Sequence, residues 1–440
     1  VNVEIELAAP QHAREFAAVR LRSVDLPDVI ALRVDAATLR ALGPFSPVTT
    51  DLLLLALVVY ALDRGTERTS TADAWTRTFE FTLPVSDVPT WEQARESIER
   101  CLSFLSGDVW TLTFELRTVG LWSPDEEARA PKVQAVCLFS GGLDSLIGAI
   151  NWLEESRDGR VWLVGHRDPA ARTGIMKEQH HLASALRDAY SGRVETLFPY
   201  AGASVALERT LRSRSFLFLA LAVLAAGSQE PLTPVLIPEN GTIALNPPLT
   251  PSRFGSLTTR TAHPHYLHLF QGMLTALGID TPAVNPLSGA TKGEVVMRCR
   301  NAGLLRDTFA ATNSCAKRGH TYYWARGDAG QCGRCMPCIY RRAALHAGGL
   351  DVEEYGNDVC TGEVNPMGEG EASDDLRALC AFLREQTTPE RVADRLFRAG
   401  SLEIDRLPEY ASLVLRSMDE VRRLLNDKGI PAVRHAAGLL

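Results

Sequence analysis

The sequence predicts an α/β protein: a central parallel-sheet domain, preceded by an N-terminal α+β domain and followed by a C-terminal helical region. Three observations lead there. After Lys132, short apolar runs alternate with helical stretches, the pattern of βαβ units and a parallel sheet. Before it, apolar and polar residues alternate with period two, as in half-buried strands. Beyond about Leu350 the chain is mainly amphipathic helix. These changes set divisions at 1–130, 131–349 and 350–440, and 440 residues at about 150 per domain allow two or three units.

In the first division, Val1, Val3, Ile5 and Leu7 mark a strand, and Thr76–Leu83 and Val109–Val119 mark two more around a helix beginning near Thr90. Thr49–Asp63 reads as a helix apolar on most faces, placed between layers. The polar, proline-flanked stretch 121–132 reads as a linker. In the second, VQAVCLF (133–139), VWLVG (161–165), VETLF (194–198) and VLIP (235–238) are the expected strands. Helices are expected around Glu178–Ala189, Ser204–Ala226 and His265–Leu277. The helices of the third are interrupted by TGEVNPMGEGEAS (361–373), which reads as a flexible loop.

Composition narrows the class. With 45% hydrophobic and 22% charged residues the chain is an ordinary globular protein, which excludes collagen, coiled coil and wholesale disorder. A balance of 46 Lys+Arg against 53 Asp+Glu, net −7, argues against a nucleic-acid partner, because a phosphate backbone selects a basic surplus. The longest apolar runs, Leu52–Leu62 and Phe216–Ala226, fall well short of the ~20 residues of a membrane span, so both read as core helices and no membrane is expected. The opening VNVEIELAAP has no basic n-region or apolar h-region, which makes the cytoplasm the expected compartment.

Two motifs carry chemistry. Ser140-Gly141-Gly142-Leu143-Asp144-Ser145 lies between the first strand of the sheet and a helix. The adjacent glycines let backbone N–H groups turn toward an anion, and the helix N-terminus adds its positive end. Ser140 and Ser145 supply hydroxyls, and Asp144 supplies a carboxylate for Mg²⁺. A plain strand–helix turn also uses such residues. Both serines and the aspartate together in this position favour the anion loop. No lysine follows, so this is not a GxxxxGK[ST] loop. The second motif is Cys332-Gly-Arg-Cys335-Met-Pro-Cys338, with Cys315 upstream. Four thiolates at this spacing suit a closed, structural tetrahedral Zn²⁺ site. An iron–sulfur cluster or unliganded thiols are the alternatives. Nine cysteines without a secretory signal do not read as a disulfide framework.

The loop resembles that of the N-type ATP pyrophosphatases, the PP-loop branch of the HUP fold, which cleave ATP between its α and β phosphates and adenylate an oxygen of their substrate. Within that group the chain is most similar to the QueC (7-cyano-7-deazaguanine synthase) family. The similarity rests on Ser314-Cys315, on CGRCMPCIYRRAAL (332–345), on the helix led by Arg214-Ser215-Phe216, and on Thr291-Lys292-Gly293-Glu294-Val295-Val296. It covers about residues 133–348. QueC proteins adenylate the carboxylate of a 7-carboxy-7-deazaguanine for attack by ammonia, then dehydrate the amide to the nitrile preQ0.

Carried over, the resemblance implies ATP, Mg²⁺ and structural Zn²⁺. It gives Ser140, Asp144, Ser145 and Lys292 catalytic roles, and it adds Gly141, Gly142, Leu143, His166 and Arg214 to the ATP site. Taken alone, Lys292 reads as a solvated helix-end lysine. Glu239, Asn240, Arg260, His263 and Arg341 are the candidates for the substrate, although Asn240 and His263 read equally well as caps.

Three departures matter. Val164-Gly165-His166-Arg167-Asp168 replaces a Tyr-Gly-Gln-Arg-His type segment, 316–331 lengthens the gap between the first two cysteines, and 1–130 and 350–440 have no counterpart. Longer QueC-like proteins of anti-phage operons, of the Qat and type IV CBASS kinds, share such extensions, together with PENG (238–241) and TRTAHPH (259–265). The expectation is therefore a ligase that passes a 7-deazaguanine to an amine on a protein partner from the same operon, with 1–130 and 316–331 helping to dock it. A preQ0 synthase using ammonia, a tRNA-modifying enzyme and a non-catalytic scaffold subunit are the competing readings. No RNA-binding basic face supports the second of these, and the complete SGGLDS loop argues against the last.

Overall fold

A computed structural model describes all residues except 12–14, 27, 41, 44, 123–129, 168–174, 209–211, 230–231 and 251–259. Most of the linker expected at 121–132, together with Asp168 and Thr259, lies outside the described residues. The N-terminal region begins with three strands, β1 (Asn2–Ala8), β2 (Ala18–Arg22) and β3 (Ile30–Val34), and a short helix α1 (Ala36–Arg40). Next come α2 (Pro47–Gly65), β4 (Thr78–Val85), α3 (Val88–Ser106) and β5 (Val109–Leu116). Ser46 caps α2 by accepting the Thr49 N–H, and α3 ends where Gly107 takes φ +77°. Every residue from Leu52 to Leu62 is buried, so α2 has no solvent face and lies between layers, as its composition requires.

The central region runs β6 (Ala135–Leu138), α4 (Leu143–Glu155), β7 (Val161–Val164), α5 (Ile175–Ala189), β8 (Val194–Leu197), β9 (Ala201–Ala203) and α6 (Arg212–Gly227). It continues through β10 (Val235–Leu236), α7 (Gly241–Leu245), α8 (Pro264–Ala276), β11 (Ala283–Val284), α9 (Lys292–Met297), α10 (Ala302–Thr308) and α11 (Met336–Ala347). Five of these strands form a parallel sheet in the order β11-β10-β6-β7-β8. Strands β6 and β7 are buried throughout, which explains their unbroken apolar sequences. The chain leaves β6 in one direction across the sheet and returns to β10 on its other side. The carboxyl ends of β6 and β10 therefore flank the switch point where ligands bind in open α/β sheets.

The second sheet has the order β5-β4-β1-β2-β3-β9. Strands β1, β4 and β5 run parallel, and β2, β3 and β9 alternate in direction. Its last strand comes from the central region, with Leu32 opposite Ala203 and Val34 opposite Ala201. The helix expected from Ser204 accordingly starts only at Arg212. Helix α2 packs along α6, and α3 along α8, in one continuous hydrophobic core. The N-terminal region is thus a layer of the central domain, and packing crosses the division expected at 130.

The C-terminal helices α12 (Asp374–Arg384), α13 (Pro389–Ala399), α14 (Leu407–Lys428) and α15 (Pro431–Ala436) share a separate core with Leu245 of α7 and Ile339 of α11. The stretch 361–373 is a run of turns with Val364 buried. Among the described residues, no helix is long and apolar enough to cross a membrane.

Candidate functional site

The glycine turn begins where β6 ends. Gly141 sits at φ +79°, in the left-handed region that favours glycine, and its carbonyl accepts the Asn313 N–H at 2.8 Å. The Ser145 hydroxyl donates to the Gly142 carbonyl at 3.0 Å and lies 3.3 Å from the Ser140 hydroxyl. Within α4, a Cβ on Gly148 would lie 2.3 Å from Pro238, so the helix can approach the end of β10 only because this residue is glycine. That approach brings Asp144 to Glu239 and Asn240.

Asp144 is buried at the first turn of α4, and its Oδ2 accepts from Lys292 Nζ at 2.6 Å and Asn240 Nδ2 at 2.9 Å. Asn240 is oriented by its cap of α7, where Oδ1 accepts the Ile243 N–H at 3.1 Å. Burial pushes the Asp144 carboxyl up, but Lys292, Glu239 and Asn240 together outweigh it and hold the carboxyl below its usual range. Burial, and then the Asp144 charge, raise Glu239 well above its usual range. One ammonium beside two buried carboxyl groups favours a single negative charge over two. Among the described residues, Asp144 Oδ1 is buried without a donor N–H or hydroxyl partner. Two carboxyl groups and an unpartnered oxygen are the hard donors that Mg²⁺ takes, so the residues fit that ion.

These groups floor a cavity of about 370 Å³, within the usual range for small-ligand sites. Ser140, Ser145, Asp144, Glu239 and Lys292 line its polar end, while Leu138, Phe218 and Ile237 supply apolar wall. Gly142 and Leu143 contribute backbone beside them, and Arg214 reaches in from α6. His166 stands behind Arg214 rather than in the cavity. It is buried, with Nε2 2.7 Å from the Ala201 carbonyl and Nδ1 accepting from Arg214 Nε at 3.2 Å. This pairing puts the ring proton on Nε2 and occupies both nitrogens.

Three further candidates border the cavity without lining it. Arg260 stacks 4.5 Å over the Phe104 ring, in the seam between α3 and α8. His263 caps α8, its Nδ1 accepting the His265 N–H at 3.3 Å. Arg341 is fully buried and donates to Glu353 at 2.8 Å, the Thr312 hydroxyl at 2.6 Å and the Phe309 carbonyl at 2.8 Å. It braces the segment leading to Cys315 instead of meeting the cavity. Sequence reasoning missed Asn313, which ties that segment to Gly141, and Thr261 and Ser215 in the cavity wall. Asn313 carries no local motif, while Ser215 and Thr261 lie inside the Arg214-Ser215-Phe216 and TRTAHPH stretches without having been given a role.

The Sγ atoms of Cys315, Cys332, Cys335 and Cys338 all lie within 4.8 Å of one another, and no disulfide joins them. Cys332 and Cys338 Sγ are 3.8 Å apart, and Zn–S bonds of ~2.3 Å give a tetrahedron with edges of about this length. Backbone N–H groups of Lys317, Cys332 and Cys335 point at the sulfurs at 3.3–3.4 Å, which suits thiolates. The cluster can therefore hold a single metal ion such as zinc. Gly333, at φ +77°, is required by the turn, since a Cβ there would lie 2.1 Å from the Asn357 carbonyl. Trp324, from the 316–331 stretch, packs against the thiols, while Tyr322 and Tyr323 are exposed. Cys101, Cys137, Cys299, Cys360 and Cys380 lie elsewhere, buried. No protein-family model, curated protein or solved structure matches the chain.

Proposed function

We propose that this protein is an ATP-dependent carbon–nitrogen ligase that adenylates a 7-deazaguanine carrying a carboxylate and delivers the activated group to an amine. The reading follows the resemblance to QueC-like enzymes. The observation that supports it most strongly is the buried Asp144 at the switch point of the sheet, with Lys292 and Asn240 on one carboxylate oxygen and the Glu239 carboxyl beside it. A scaffold protein gains nothing from such an arrangement, because burying a charged pair is at best neutral for stability.

In this reading the substrate carboxylate attacks the α-phosphorus, the α–β P–O bond breaks, and pyrophosphate leaves. The amine then attacks the acyl carbon, loses a proton, and AMP departs with the acyl oxygen. The glycine-loop N–H groups, the Ser140 and Ser145 hydroxyls and Lys292 face the phosphates, and Arg214 offers a second cation. Mg²⁺, which Asp144 and Glu239 would hold, supplies neutralisation of phosphate charge. The cysteine cluster holds structural zinc. The amine belongs to a protein partner of the same operon, in a cytoplasmic anti-phage system.

The test is formation of AMP and pyrophosphate from ATP and Mg²⁺ with 7-carboxy-7-deazaguanine and an amine. Asp144→Asn, which keeps shape and removes the charge, should lower AMP formation by about 10²-fold or more. Undiminished AMP production by that variant would refute the reading.

A further inference from the structure

Helix α9 has six residues, too few to persist by itself. Its capping box is complete: the Thr291 hydroxyl accepts the Glu294 N–H at 3.1 Å, and Glu294 accepts the Thr291 N–H at 3.0 Å. A box closes the first turn but does not fix the helix in space. That anchor comes from α14, whose Leu413, Arg416 and Glu420 share one face at i, i+3 and i+7. Leu413 fits where Gly241 has no side chain; a Cβ there would lie 2.5 Å from Leu413 Cδ1. Arg416 donates to Glu294 at 2.8 Å and to the Gly289 carbonyl at 3.2 Å. Glu420, buried, accepts from the Thr291 hydroxyl with one oxygen and from the Gly293 N–H at 3.0 Å with the other. A Cβ on Gly293 would lie 2.5 Å from that carboxylate, so the contact is open only to glycine.

We infer that Glu420 is a positioning residue: by gripping both sides of the α9 cap, it sets Lys292 against Asp144. The C-terminal helical region thereby becomes part of the site, although none of its residues reaches the cavity lining. The same face of α14 backs the turn after Asn240, so both segments that meet Asp144 rest on it. A buried carboxylate is costly unless both oxygens are engaged, and here the Thr291 hydroxyl and the Gly293 N–H engage them. What the carboxylate adds is a fixed location for the residue between its two donors, which is Lys292.

The effect on rate rests on the adenylation reading, but the placement of Lys292 is measurable without ATP. Lysine amines of the full-length protein are acylated briefly with an N-hydroxysuccinimidyl acetate and quantified by peptide mass spectrometry, with exposed Lys177 as internal reference. Relative to Lys177, labelling of buried Lys292 should rise about tenfold in Glu420→Ala, the loss of a charged hydrogen bond. It should rise less in Arg416→Ala and stay near wild type in Glu420→Gln, whose amide can accept from Gly293 and donate to Thr291. AMP turnover should fall in the same order through kcat, with KM for ATP little changed. Wild-type labelling in folded Glu420→Ala overturns the inference. If that variant does not fold, unchanged labelling in Arg416→Ala, a half-exposed position, overturns it. A wild-type protein that forms no AMP refutes the adenylation reading and leaves the labelling result to decide this one.

Discussion

Asp144 and His263 show how burial assigns different work to single residues. Asp144 is held charged by a lysine, so alanine there would leave a buried ammonium unpaired, at a cost of about 3–5 kcal/mol. Asparagine is therefore the variant that separates chemistry from folding. His263 is held neutral. Burial, then Arg260 and His265, push its imidazole down to about 3 from the usual 6.5. Between those values the unfolded ring takes up a proton that the folded ring refuses, so stability falls as pH drops through the window. His263→Asn keeps an effective helix cap and removes the titration. Its thermal midpoint should decline less than the wild type's between pH 7 and pH 4.5, and parallel declines would exclude the effect. Ser140, Asp144 and the four clustered cysteines were legible in the sequence because each stands in a local motif, whereas Lys292 read alone as a solvated helix-end lysine and is instead buried. His166, Arg260, His263 and Arg341 were assigned to ligands by analogy, and the structure gives each of them close partners within the protein. Glu420 left no local sign, since Thr291 is 129 residues away from it.

At the level of elements, four strands of the parallel sheet were legible, β6 and β7 because burial on both faces leaves short, unbroken apolar runs, whereas the two-residue edge strand β11 was not. Strands β2 and β3 were not, because AVRLR and IALRV are only five residues long and arginine interrupts each apolar run. Strand β9 is three residues long, and its identity depends on a partner from another region. The cysteine knuckle is the element whose local sequence says most, and its contacts extend what the sequence said. Asn313 Oδ1 accepts the Cys315 N–H at 2.9 Å, while the Asn313 N–H donates to Gly141. Metal that closes the knuckle therefore also braces the glycine turn. Elemental analysis should find one zinc per chain, and X-ray absorption should give Zn–S distances of ~2.3 Å. Chelation should speed amide exchange in 312–316 and 332–338, and also at 140–142, while β4 and β5 stay protected. A metal-free native protein, or exchange unchanged by chelator, would refute this.

Across the whole molecule, the N-terminal region is bound to the central one by a buried charge network as well as by the shared core. Arg77 is fully buried, and it donates to Asp108 Oδ2 at 2.7 Å, to the Asp63 and Thr66 carbonyls at 2.7 Å each, and to the Asp63 carboxylate. Arg68 donates to the same Asp108 at 2.9 Å. The other oxygen of Asp63 accepts from the Ser213 hydroxyl, at the start of the helix that carries Arg214 into the cavity. Much of region 1–130 is thus committed to supporting the central sheet. A chain cut at residue 130 would bare α2's face of α6 and strip β9 of its neighbour, so truncation would test folding rather than partner recognition. A point change is the cleaner probe. Arg77→Ala leaves two buried carboxylates short of their guanidinium, and should lower unfolding stability by about 3–5 kcal/mol in denaturant titrations. Arg77→Lys should recover only part of this, because an ammonium cannot match the planar fork that meets both aspartates and both carbonyls. Substitution of the exposed Arg100 on α3 should cost under about 1 kcal/mol, as its pairing with Glu96 is a surface one. Unfolding of the Arg77 variants in one transition would show that the N-terminal and central regions cooperate. Two separated transitions, or a loss no greater than that of the Arg100 variant, would show that they do not.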